Sequence, residues 1–101
     1  MLTLSVTRSR VAAVLRQAAD ILDREGWDPY RNPTIAAIDR AAGYVKPGVD
    51  LAAEETTLRA WDALVVYLGE QLVVPWEDEP GRTQVEVLAA LRGAAGEVPA
   101  V

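Results

Sequence analysis

From Thr7 to about Glu25, apolar side chains recur at intervals of three and four: Val11, Val14, Leu15, Ala18 and Leu22, with Arg8, Arg16, Asp20, Asp23 and Arg24 off that line. This period predicts an amphipathic helix with one face to bury. Leu4 and Val6 either extend it backward or lead into it as extended chain. Asp20 and Arg24 stand four apart in the acid-before-base order, adding about 0.3 kcal/mol. Gly26 stops the helix, because glycine enters the conformations that close a helix end, and Trp27 follows where an apolar contact commonly seals it. Pro29, Asn32 and Pro33 predict a loop. Thr34 then caps a short second helix, Ile35 to Ala42, closed by Gly43, with Ile35, Ile38 and Ala42 on one face. Pro47-Gly48 predicts a turn and Asp50 an N-cap. In the third helix Leu58, Trp61, Leu64, Val65, Leu68 and Leu72 form the expected inward stripe. Glu54, Glu55, Arg59, Asp62 and Glu70 lie away from it. Pro75 ends that helix, since the residue before a proline avoids helical geometry.

The stretch from Trp76 to Ala95 is the most sharply punctuated, an aromatic, a turn and a capped helix. Thr83 and Glu86 have the spacing of a capping box, in which hydroxyl and carboxylate satisfy each other's backbone N–H. Pro80-Gly81 reverses the chain before it. Val85, Leu88, Leu91 and Ala95 give the fourth helix an apolar side. Arg82 can fork onto Asp78 or stack over Trp76, fixing the turn. The elements together predict an all-α fold, a compact bundle of about four helices with short loops. It forms a single domain over residues 1–101 whose tail frays from about residue 96. There is no internal repeat and no low-complexity tract.

At 101 residues, half of them apolar and a quarter charged, the chain has the balance of one globular domain. Its expected radius of gyration is about 13 Å. The absence of cysteine and histidine removes disulfides, thiolate and imidazole metal sites, a cysteine nucleophile and the usual general base near neutral pH. No catalytic, cofactor-binding or metal-ligating residue is therefore assigned, and no cofactor is expected. The longest apolar run, Leu64 to Leu68, falls far short of the roughly 20 residues of a membrane span. The first residues lack the apolar core of a secretory signal, so the expected location is the cytoplasm. The net charge of −5 is uneven: residues 1–50 carry seven basic and six acidic side chains, residues 51–101 three and nine. The acidic half is unsuited to phosphate, which Lys and Arg must neutralise.

Several patterns invite chemistry and yield plainer readings. Ile35 to Ala52 resembles the start of a helix-turn-helix. Asp39, however, falls where a small buried residue belongs, Pro47-Gly48 falls inside the would-be recognition helix, and Lys46 is that helix's only base. Glu77-Asp78-Glu79 lacks the alternating ligands and glycine of a calcium loop and is expected to be a solvated loop. Trp27, Trp61 and Trp76 are expected to anchor a core or an interface in a chain without phenylalanine. Glu54 and Glu55 with Glu70 do not form an acid–base pair, because neighbours diverge on a helix and Glu70 lies about four turns on. Trp27, Trp76, Asp78, Pro80, Arg82, Thr83 and Glu86 remain as the candidate structural or interaction motif.

Trp76-Glu77-Asp78-Glu79-Pro80-Gly81-Arg82-Thr83, followed by Glu86-Val87 and Leu91, resembles the carboxy-terminal signature of an uncharacterised family of small actinobacterial and actinobacteriophage proteins. The helix ending in Gly26-Trp27 and the Ala41-Ala42 segment fit the same pattern. The abundance of Ala and of Arg over Lys suits genomes of that kind. Members often carry Asn where this chain has Glu77, and a cysteine before the Ala-rich helix that is missing here. The resemblance implies an origin and a shared fold, and no activity. The expected role is a non-enzymatic phage or mobile-element accessory protein that binds a host protein, with a homodimer as a further possibility and no membrane. The alternative is a nucleic-acid-associated regulator using Arg8, Arg10, Arg16 and Arg40.

Overall fold

A computed structural model describes residues 7–45 and 50–98. Five helices are present among them: α1 (Arg8–Glu25), α2 (Thr34–Ala42), α3 (Leu51–Tyr67), α4 (Val73–Glu77) and α5 (Gln84–Glu97). The expected turn at Pro47-Gly48, Lys46 beside it and the lead-in at Leu4 and Val6 lie outside the described residues. The architecture is all-α, as the apolar spacing predicts: four longer helices form the bundle, and α4 is an additional single turn.

The first helix forms as its spacing requires. Thr7 precedes it in extended geometry and its hydroxyl accepts the Arg10 N–H at 3.0 Å, satisfying one of the donors a helix start leaves over. Val11, Val14, Leu15, Ala18 and Leu22 are all buried, joined by Ala12 and Ala19. This broad face packs mainly on α5 and α2, so α1 is the spine of the molecule. Asp20 turns away from the expected local partner Arg24 and reaches Arg92 of α5 at 3.2 Å, with Asp23 on the same guanidinium at 3.6 Å.

The loop after α1 closes on itself. Asp28 and Asn32 exchange backbone hydrogen bonds, and the Asp28 carboxylate accepts the N–H groups of Tyr30 at 2.8 Å and Arg31 at 2.9 Å. Those two donors hold the Asp28 carboxyl below its ordinary pKa. Beside it Arg40 forks onto Glu25 through two contacts of 2.7 Å, tying α2 to the end of α1 and lowering the Glu25 pKa.

The third helix differs from expectation in orientation. Asp50 caps it as predicted, accepting from Ala52 at 3.0 Å and Ala53 at 3.1 Å. Its inward face, however, is Ala53, Thr56, Thr57, Ala60 and Leu64, with Leu64 alone retained from the expected stripe as fully buried. Trp61, Val65 and Leu68 flank the core, while Leu58 is 57% exposed and Leu72 lies outside the helix. Four of the five inward residues are Ala or Thr, a small-residue face that suits close packing between helices. On α5 the expected Leu88, Leu91 and Ala95 are buried, joined by Val87, Ala90 and Ala94, and of the expected apolar side Val85 alone is exposed, at 75%. A methyl on Gly93 would overlap the Tyr67 ring, which lies across α5 there.

The helix end at Pro75 also differs. α3 stops at Tyr67, and the chain turns through Gly69 (φ 75°) and Glu70 (φ 68°), both left-handed. Pro75 then sits in the first turn of α4, where a missing N–H removes no helical hydrogen bond. α5 runs through Gly96 to Glu97, beyond the predicted onset of fraying, with residues 99–101 outside the described set. The radius of gyration is 13.0 Å, the value expected for one domain of this length.

Candidate interaction site: the Glu77 hub and the α2–α3 groove

The motif residues assemble around α4. Arg82, its side chain only 17% exposed, lies with its guanidinium 4.1 Å above the Trp76 ring, and its Nε donates to the Trp76 carbonyl at 2.9 Å. Of the two partners expected for Arg82, the structure shows Trp76; Asp78 is exposed, and the second contact is Glu86 at 3.4 Å. Pro80-Gly81 forms the reversal, with Gly81 at φ 87° and the Arg82 N–H donating to the Glu79 carbonyl at 3.0 Å. The capping box is complete: Thr83 N–H donates to Glu86 at 2.9 Å and Glu86 N–H to the Thr83 hydroxyl at 3.3 Å. The Thr83 amide in turn holds the Glu86 carboxyl below its usual pKa. Trp76 is thus clamped between the core and an arginine.

The expectation for Glu77 is overturned. It is 2% exposed, and one carboxylate oxygen accepts three hydrogen bonds: from the Trp27 indole at 2.7 Å, the Thr34 amide at 2.7 Å and the Thr34 hydroxyl at 2.6 Å. Thr34 is the first residue of α2 rather than its cap, and Pro33 at the cap position has no acceptor in its side chain. Glu77 therefore caps α2 from across the fold, its charge facing the positive end of the helix dipole. Trp27 is held a second time, its amide donating to Gln84 of α5 at 2.8 Å. Glu77 was hidden in the sequence by its acidic neighbours. The available signal was the missing cap at Pro33, a helix start that has to be satisfied from elsewhere.

The three tryptophans serve different places. Trp27 answers Glu77, Trp76 lies under Arg82, and Trp61 lines a groove between α2 and α3. That groove has a volume of about 170 Å³ and is walled by Ile35, Asp39, Tyr44, Glu54, Thr57, Leu58 and Trp61. Asp39, the residue that disqualified a helix-turn-helix, accepts the Thr57 hydroxyl at 2.5 Å, which fixes its carboxylate at the groove wall. Glu54 comes from the first turn of α3. Sequence reasoning rejected Glu54 and Glu55 with Glu70 as an acid–base pair, and the fold places Glu54 with Asp39 on the lining of this groove. Among the described residues no three acids converge as a metal site, and no helix is long and apolar enough to cross a membrane.

A family model matches residues 6–97, nearly the whole chain. The chain belongs to a family of unknown function (DUF6197). No curated protein and no solved structure matches it. The DUF6197 match spans α1 to α5, so the Glu77 hub and the groove both fall within the family's domain.

Proposed function

We propose that this chain is a non-enzymatic protein-binding module whose docking face is the outer side of α3. A single observation carries the proposal: Leu51 and Leu58 stand seven residues apart along that side, 77% and 57% exposed, while Glu54, Glu55 and Asp62 flank them. An outward apolar line of this kind anchors a partner helix, and a border of acids selects basic side chains. A second copy of the chain would bring these acids against one another, with Arg59 already paired to Glu55 at 2.8 Å, so the homodimer is the less favoured occupant. The resemblance noted above gives the biological setting within the proposal, a phage or mobile-element accessory protein acting on a host protein in the host cytoplasm.

The nucleic-acid reading loses ground to the same geometry. Of its four arginines, Arg40 is forked onto Glu25 and Arg10 donates to the Ala41 carbonyl at 3.3 Å, leaving Arg8 and Arg16 on the exposed side of α1. Acid–base catalysis by Asp39 and Glu54 is also the weaker reading: Glu54 is exposed and Asp39 only half-buried, a setting suited to attracting cations. Two amphipathic helical peptides, alike except for a basic or an acidic polar face, test the proposal. The basic peptide is expected to bind, with affinity falling as salt rises, and Leu58→Asp is expected to weaken it roughly tenfold or more without loss of helicity. Equal binding of both peptides, or no effect of Leu58→Asp, overturns it. A dimer mass by light scattering that Leu58→Asp abolishes assigns the face to a second copy.

A further inference from the structure

Resting on that reading of α3, we propose that the α2–α3 groove is a socket for one arginine side chain of the basic partner. Its size comes first. At about 170 Å³ the groove is smaller than the about 300–1,000 Å³ of pockets that enclose metabolite-sized ligands, and it suits a single long side chain. Its lining comes second. Two aromatic side chains, Trp61 and Tyr44, line it, the residue type on which a planar cation stacks, and the aliphatic walls Ile35 and Leu58 suit the methylene stem. Its charge comes third. The groups lining it that are charged at neutral pH are Asp39 and Glu54, both acidic, with no basic side chain among the described residues that line it.

Asp39 gives the site its geometry. The Thr57 hydroxyl takes one carboxylate oxygen, which leaves the other to accept a guanidinium N–H from a carboxyl already held in place. A guanidinium stacks flat on indole while donating in its own plane, a combination a lysine ammonium offers less well. Leu58 links the socket to the apolar line of α3, so an arginine in the groove and an apolar anchor on Leu51 and Leu58 can belong to one helical segment.

The test uses the full chain and a small probe, N-acetyl-arginine methylamide, against its neutral isostere, the citrulline derivative. In NMR titration the arginine probe is expected to shift the Trp61 indole signal saturably in the millimolar range, leaving the Trp27 and Trp76 indoles still. Citrulline is expected to do neither. Glu54→Gln, on an exposed position that does not threaten folding, and Asp39→Asn are each expected to weaken the probe by roughly threefold to tenfold. The lysine derivative is expected to bind more weakly than arginine. Equal shifts from arginine and citrulline, equal response of all three indoles, or unchanged affinity in both variants overturns the socket. Because the probe lacks any apolar anchor, its failure leaves the helical-peptide result standing. A peptide failure with a binding probe refutes the α3 docking face alone.

Discussion

Glu77 shows how much one side chain can hold together. One of its carboxylate oxygens joins the end of α4 to the loop after α1 and the start of α2, which lie 50 and 43 residues upstream. Removing it leaves an indole N–H and a helix-terminal amide buried without acceptors, each costing about 1–3 kcal/mol. Glu77→Ala is therefore expected to destabilise the chain by about 3 kcal/mol in urea denaturation, with the Trp27 fluorescence shifting toward that of an exposed indole. Glu77→Gln keeps an amide oxygen in place and is expected to cost about 1 kcal/mol, the charge assistance alone. Asp78→Ala, one residue on and exposed, is expected to change stability by no more than about 0.5 kcal/mol. Equal losses at positions 77 and 78 would mean that Glu77 is solvated after all.

Among the helices, the test of orientation is the pair Leu58 and Leu64 of α3. Apolar periodicity puts both on the inner face; the fold buries Leu64 completely and leaves Leu58 more than half exposed. Leu64→Ala is expected to cost about 2–5 kcal/mol by opening a cavity, and Leu58→Ala about 0.5 kcal/mol or less. Comparable costs at the two positions would restore the inward stripe. The contrast with α1 explains which helices could be understood from sequence. In α1 the large apolar residues are the buried ones, so period and burial coincide. In α3 the buried face is built from Ala and Thr more than from Leu, and a pattern counted on large residues is rotated away from it, whereas in α5 the expected Leu88, Leu91 and Ala95 are buried and Val85 alone turns outward. The capping box of α5 was legible because both its groups are local, three residues apart. The cap of α2 was not, because its acceptor comes from 43 residues downstream. α4 was missed for a different reason: Pro75 ends one helix in sequence terms but equally well begins the next. The groove followed the same rule, since Asp39, Tyr44 and Trp61 have no spacing that announces them and meet only when α2 lies on α3.

Over the whole molecule, the titration behaviour follows from which groups are present and where the perturbed ones sit. Glu25, Asp28 and Glu86 each lie at a junction, the α1–α2 tie, the intervening loop and the α5 cap, and each is held below its ordinary pKa by donors that exist only in the folded chain. The unfolded chain thus takes up protons at higher pH than the folded one. Their stabilisation is complete above the ordinary carboxylate values, 4.5 for Glu and 3.8 for Asp, and is lost as pH falls through the lower folded-state values. All three groups are solvent-screened, so the decline is gradual and shared. As the 15 acids protonate, the 10 basic side chains are left unopposed, and their mutual repulsion works in the same direction. With no histidine in the chain, no side chain with an ordinary pKa changes charge between about pH 6 and 8. The melting temperature is accordingly expected to stay level across that range and to fall progressively below about pH 4.5. Arg40→Ala, which frees the Glu25 carboxyl, is expected to make the acid decline shallower as well as lowering the plateau. A midpoint near neutral pH, or an acid limb that Arg40→Ala leaves unchanged in slope, would show that these junction carboxylates do not set the acid response.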